Sequence, residues 1–230
     1  MSLISLFTNI ITSPTQAFGN LKEKGHAWLP LLLVVTALVL INSYYFSVVD
    51  FKWMVEQMVI AQAGDQSPAE QEQLRSMFIG MGAKNMMAFS AVGSLVTIPI
   101  MFAIYALYYL ITSNIRDDEL TFSNCFTLVA WSNIPLLFTL ASGFITILLS
   151  DNGQIAQSLM KGLNLNDLIF HFPAEHPWYT WMSSLDLTLI WSTVLIAVGY
   201  QTWTKASTTA SYIIAILPSL LFFGIWAALI

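Results

Sequence analysis

Five stretches without a charged side chain, at residues 27–49, 85–115, 120–150, 187–204 and 206–230, set the pattern of this chain. A helix that crosses a bilayer takes ~20 apolar residues. Each stretch holds one, and the pattern predicts transmembrane helices at about 28–49, 86–111, 122–149, 185–204 and 210–230. The fourth is the shortest and draws on its flanks. Ahead of them, SLISLFTNIIT at residues 2–12 puts Leu3, Ile4, Leu6, Phe7, Ile10 and Ile11 on one helical face. Ser13 then caps a second short helix beginning at Pro14, with Ala17, Phe18 and Leu21 on one side. Residues 1–27 are therefore expected as amphipathic helices in the membrane interface, with Lys22 and Lys24 toward lipid headgroups.

Two long loops remain, 50–85 and 150–184. In the first, Phe51, Met54, Val55, Met58 and Val59 share a helical face, Gly64 ends the helix, and Ser67-Pro68 with Glu70 restarts it through a capping-box pattern. The prediction is an extramembrane helical hairpin between spans 1 and 2, with Leu74, Met77 and Phe78 as its second apolar edge. The second loop reads as a short helix around 154–162, then FHFPAEHPWYTW, suited to the headgroup layer where Trp and Tyr collect. The fold class is thus an all-α membrane protein: one membrane domain over 1–230, a bundle of five transmembrane helices. Its termini lie on opposite faces and its two long loops share a face.

Composition sharpens this reading. Charged residues make up 9% of the chain against about 25% in soluble domains, and 57% of residues are apolar, leaving no room for a separate soluble domain. A net charge of −5 with eight basic residues argues against nucleic acid as a partner. No basic region precedes the first apolar residues, so the start is not expected to be a cleavable signal peptide. Cys125 is the only cysteine, so no disulfide can form within the chain. Lys22, Lys24, Arg116 and Lys205 lie on the N-terminal face, and Lys52, Arg75, Lys84 and Lys161 on the other. The first group sits in shorter segments, which favours a cytoplasmic N-terminus and an outer C-terminus.

No Asp, Glu, Lys, Arg or His lies well inside any span, where ion-coupled transporters usually place such groups. His171, Glu175 and His176 have the spacing HxxxEH, unlike the HExxH or HxxEH of zinc helices, and Pro173 and Pro177 forbid a regular helix through them. They read as polar interfacial residues, and no metal is expected. Asp117, Asp118 and Glu119 can be read as a cation site, but fit better as a solvated turn before the helix that Thr121 and Ser123 start. No nucleophile–base pair, phosphate loop or GxSxG is present, so no catalytic residue and no cofactor are expected.

The polar groups that remain lie near prolines. Pro99, Pro135 and Pro218 fall inside spans 2, 3 and 5. In AWSNIPLLF, Pro135 deprives the carbonyl of Trp131 of its helical donor. Ser132 and Asn133 are close enough to satisfy it, or a facing helix does so. Asp186 follows Ser183 at capping-box spacing, opening the fourth span with a carboxyl that can also meet a polar partner on another helix. Ser90, Gly93, Ser94 and Thr97, and Gly224 with Ala228, allow close helix approach. Ser132, Asn133, Pro135, Asp186 and Pro99 are therefore the candidate intramembrane site, as structural packing or as a lined groove.

In order and spacing these segments resemble a bacterial Yip1-domain membrane protein over nearly the whole chain. ITSPTQAFGNLKEK resembles the family's P-x-x-A-F pre-membrane helix, and SPAEQEQLRSMF the acidic helix after its first span. TFSNCFTLVAWSNIPLLF resembles its third-span pattern, with Trp131 where Tyr is common. SSLDLTLIWSTVLIAVGYQTWTK resembles its fourth, with Asp186, Trp191 and Gly199 in matching places. The resemblance implies five spans with the N-terminus in the cytoplasm. In eukaryotes the wider family is linked to small GTPases through long N-terminal regions. About 27 residues precede the first span here, so that interaction is not expected to carry over.

The expected function is that of a non-enzymatic multi-pass protein of the bacterial cytoplasmic membrane. Its partners would be the lipid bilayer and other membrane proteins or a second copy of itself. The alternative is a small-solute transporter or channel with its path between the proline-bent spans 2, 3 and 5.

Overall fold

The computed structural model describes residues 2–64, 66–157, 160, 162–173 and 176–230, and its regular elements are helical. In chain order they are α1 (Leu3–Thr12), α2 (Pro14–Lys24), α3 (Trp28–Val48), α4 (Phe51–Ala63), α5 (Pro68–Arg116), α6 (Phe122–Ser132), α7 (Leu136–Leu148), α8 (Tyr179–Met182), α9 (Leu187–Trp203) and α10 (Thr208–Ala228). A π turn at Asn166–Phe170 precedes α8.

Caps fix many of these boundaries. Asp50 Oδ1 accepts from the Lys52 and Trp53 amides and opens α4. Ser67 and Glu70 form the expected capping box at the start of α5. Thr121 and Asn124 form another at α6, and Ser207 accepts from the Ala210 amide at α10. The hairpin arm and the second span belong to one run, Pro68–Arg116, interrupted at Gly82. Gly82 has φ 75° and ψ 156°, a conformation glycine adopts without steric cost. The span expected at 86–111 thus reaches Arg116.

Four stretches are long and apolar enough to cross a bilayer: α3, α5, α6 with α7 (Phe122–Leu148), and α10. The third is not one bent helix, because residues 133–135 form a turn between α6 and α7. The fourth expected span is shorter than predicted. α9 has 17 residues, or about 25 Å at 1.5 Å per residue. The Leu165 amide bonds the Leu185 carbonyl at 2.8 Å, and Asn164 pairs with Asp186. That pairing holds residues 185–186 outside the helix.

The chain divides into two compact units. One comprises residues 1–34, 97–136 and 187–230; the other comprises 35–96 and 137–186. In the first, α9 packs against α10, α2 and α6. Gly199 makes this possible: a Cβ there would come within 2.4 Å of Leu128 Cδ1 and 2.9 Å of Phe18. Ala17, Phe18 and Leu21 of α2 are buried, and the Trp203 indole donates to the Phe18 carbonyl at 2.6 Å. Lys22 donates to the carbonyl of Trp203, the last residue of α9, at 2.7 Å. Its ammonium therefore complements a helix C-terminus instead of serving only the headgroups. The Lys24 side chain, assigned to headgroups above, lies outside the described residues. α1 buries Leu6 and Ile10 and leaves Leu3 and Ile4 exposed.

In the second unit, Tyr45, Phe46 and Val49 of α3 meet Met54, Val55 and Val59 of α4, with Phe78, Ile147 and Ile155 completing the core. Leu74 packs against this core, whereas Met77 points outward and is exposed. The Tyr45 hydroxyl donates to the Ile155 carbonyl at 2.9 Å. Arg75 of α5 donates to both Glu56 oxygens at 2.8 Å, and these bonds hold the Glu56 carboxyl below its ordinary range. Exposed ion pairs contribute little, so the apolar core carries the hairpin. Of the helix expected at 154–162, residues 154–156 are not helical, and Ser158, Leu159 and Lys161 lie outside the described residues.

Candidate functional site: a cavity among apolar helices

α6 is among the most buried elements: Cys125 and every residue from Thr127 to Ser132 are buried. It ends because Pro135 has no amide to extend the ladder. The local hydrogen bonds then rearrange. Asn133 Nδ2 donates to the Val129 carbonyl at 2.8 Å, and the Ile134 amide donates to Trp131 at 3.3 Å. So the Trp131 carbonyl is satisfied by backbone, while the Asn133 side chain closes the turn one step earlier than expected. Ser132 takes no part. Its hydroxyl, the Thr127 hydroxyl and the Trp131 indole N–H are buried with no hydrogen-bond partner among the described residues. The Trp131 ring lies 4.8 Å from that of Phe7.

Pro218 is handled differently. It frees the carbonyl of Ile214, and the Tyr108 hydroxyl on α5 donates to that carbonyl at 3.0 Å. Tyr109, the next residue, reaches the Ala215 carbonyl at 3.4 Å. A neighbouring helix thus satisfies the freed group, as membrane prolines require.

Between these two breaks, within the first unit, lies a cavity of ≈ 180 Å³. α5, α6, α9 and α10 all line it. Asn133, Tyr105, Ser192, Thr193 and Ser219 supply its polar groups; Phe102, Val129, Leu189 and Ile196 are among its apolar walls. No charged residue lines it.

Of the residues singled out from sequence, Asn133 lines the cavity. Pro99 and Pro135 do not, but their neighbours Ile98 and Leu136 do. Ser132 does not reach it. Asp186 belongs to the second unit, where the Thr139 hydroxyl of α7 donates to its carboxyl oxygens at 2.9 and 3.0 Å. Its expected partnership with Ser183 as a capping box does not form: Ser183 is the C-cap of α8, and α9 starts only at Leu187. Asp186 stands directly before α9 and its carboxyl meets Thr139 of α7, so the reading of a carboxyl that meets another helix is carried by the geometry. Sequence reasoning missed Tyr105, Ser192 and Ser219. The available signals were the Ser192-Thr193 pair in an apolar run and a serine directly after Pro218.

The other candidates have ordinary partners. The Asp118 side chain is 5% exposed, bound by Arg116 Nε at 3.0 Å and by the Tyr200 hydroxyl at 2.7 Å. It is a buried acid spoken for by two donors, not a solvated one. His176 stacks on Phe172 with ring centroids 4.0 Å apart, and its Nδ1 accepts from the Trp178 amide. Glu175 lies outside the described residues. Among the described residues no group of three or more His, Cys, Asp or Glu is placed to hold a metal.

No curated protein and no solved structure matches this chain. The profile described as the Yip1 domain matches residues 8–229, across both units. Together with the apolar helices this makes the chain a multi-pass membrane protein. The resemblance read from ITSPTQAFGNLKEK to the fourth-span pattern is borne out: the protein belongs to the Yip1 domain family.

Proposed function

We propose that this Yip1-domain protein is a non-enzymatic component of the bacterial cytoplasmic membrane that acts by binding lipids or other membrane proteins within the bilayer. The observation that carries this reading is the cavity beside Asn133. It lies among membrane helices and combines hydroxyls and an amide with apolar walls, and no charged side chain lines it. Such a lining suits an uncharged or largely apolar occupant better than an ion or a charged substrate.

We further propose five crossings, with α9 as the fourth and the N-terminus in the cytoplasm. Its 17 residues are short for a lipid-exposed span, but eight of them are buried by neighbouring helices, which relaxes the match to bilayer thickness. Single cysteines at Ser184 and Ser207 in a Cys125→Ala chain test this. Labelling by an impermeant maleimide from opposite sides supports five crossings; labelling from one side removes α9 as a span.

The function is tested by isolating the full-length protein and its Asn133→Leu variant from membranes in mild detergent, with mass spectrometry of what accompanies each. A defined lipid or protein with the wild type, lost from the variant, supports interaction. Uptake of a small solute into proteoliposomes, lost in the same variant, would replace it with the transport reading.

A further inference from the structure

We infer that the cavity beside Asn133 is a binding site for an uncharged glycerolipid of the diacylglycerol type, an inference that rests on the reading of the protein as a lipid- or protein-binding one. The starting point is an account of hydroxyls. In water-free surroundings a helical Ser or Thr satisfies itself on the carbonyl four residues back. Ser94, Thr112, Thr193, Thr202 and Ser211 all do so, at 2.7–3.0 Å. Other hydroxyls lack that bond, Thr127 and Ser132 of α6 among them, and three such groups stand together. Ser192, Ser219 and Tyr105 have no hydrogen-bond partner among the described residues, and all three line the same cavity from three different helices. Ser192 is only 5% exposed and lines the cavity. Asn133 adds the complementary group: its Nδ2 is spent on Val129, leaving Oδ1 as an acceptor.

The site therefore offers three hydroxyl donors and one committed acceptor. A diacylglycerol presents the reverse set, two ester carbonyls and one free hydroxyl. A phospholipid or fatty acid would bring a charge that no lining residue can pair, at a cost of several kcal/mol inside a membrane. A plain hydrocarbon would leave every hydroxyl unmade. The volume of ≈ 180 Å³ suits the glycerol and ester portion alone. The acyl chains have an exit at Met101, which lines the cavity yet is 41% exposed, beside the exposed aliphatic side chains of Ile100 and Ile104.

The full chain is reconstituted into nanodiscs of dioleoylphosphatidylcholine containing dioleoylglycerol and released for native mass spectrometry. The wild type is expected to retain dioleoylglycerol at one per chain. Tyr105→Phe with Ser192→Ala, which removes two donors and adds no bulk, is expected to reduce retention by about tenfold. Ser94→Ala, outside the cavity, should leave it unchanged. A thermal melt of each variant checks that it is folded. Retention of phosphatidylcholine with no preference for dioleoylglycerol overturns this proposal while leaving a lipid-binding role standing. Equal retention by the wild type and a folded double variant overturns it too. A cavity that holds no lipid overturns it, and if the membrane isolation also yields no partner, the interaction reading falls as well.

Discussion

At Pro218, α10 runs on unbroken from Thr208 to Ala228; at Pro135, in the same unit, the chain stops being helical for three residues. Both prolines remove one amide and free one carbonyl. The difference lies in who answers. At Pro218 a phenol on another helix, Tyr108, takes the freed Ile214 carbonyl, so the helix keeps its path. At Pro135 the answer is local. Ile134 and Asn133 turn back on Trp131 and Val129, and using those groups ends the helix. A membrane proline bends or breaks a helix according to where the replacement donor comes from.

The largest expected effect attacks the side of the break. Trp131 is fully buried, against Phe7. Trp131→Ala should cost ~3–5 kcal/mol, lowering the thermal midpoint in detergent by about 10 °C. A loss no greater than that of Tyr108→Phe would mean that the break is not anchored by this ring.

Next comes the bridged proline. Tyr108→Phe leaves the Ile214 carbonyl without its donor, at ~1 kcal/mol. In a Pro218→Ala chain residue 218 supplies its own amide, so the same change should cost less than ~0.5 kcal/mol. The double-mutant cycle reads this directly from thermal midpoints. Equal costs in both backgrounds would separate Tyr108 from the proline and end the comparison.

Much of this was open to the sequence and some was not, for identifiable reasons. Caps such as Ser67 with Glu70 are local, and they were legible. The spans were legible as charge-free runs. The faces of those spans were not: α5 buries Phe102, Ala106 and Tyr109 while exposing Ile100, Ile104 and Leu107, and all six are apolar or aromatic. Where lipid and core both favour apolar side chains, periodicity loses its meaning. The remaining partners are distant along the chain. Tyr108 meets Ile214, Trp203 meets Phe18, and Thr139 meets Asp186, across 106, 185 and 47 residues. Nothing in AWSNIPLLF points to Ser192 or Ser219, so only the cavity joins them to Asn133.

Pro135→Ala restores an amide at the break. It should let the helix grow through 133–135 with a stability change under ~1 kcal/mol, since the turn is already hydrogen-bonded. Amide hydrogen exchange is the sensitive readout. Ile134 and Leu136 should exchange more slowly in the variant, with the amides of α10 around Pro218 unchanged. No slowing would place the cause of the break in Asn133 and the surrounding packing instead of in the proline.

The smallest effect on stability is expected from Asn133→Leu. It deletes the Nδ2 bond to the Val129 carbonyl, but that carbonyl also accepts from the backbone amide of residue 133 at 3.2 Å. Nothing is orphaned, so the cost should be ~0.5 kcal/mol or less. The same substitution removes the one amide from the cavity lining. A melt within about 1 °C of wild type, together with the loss of a co-purifying partner, would separate the two roles of this residue. A drop as large as that of Tyr108→Phe would instead make Asn133 a structural replacement for the missing proline amide, and the two prolines would then differ only in which neighbour stands in.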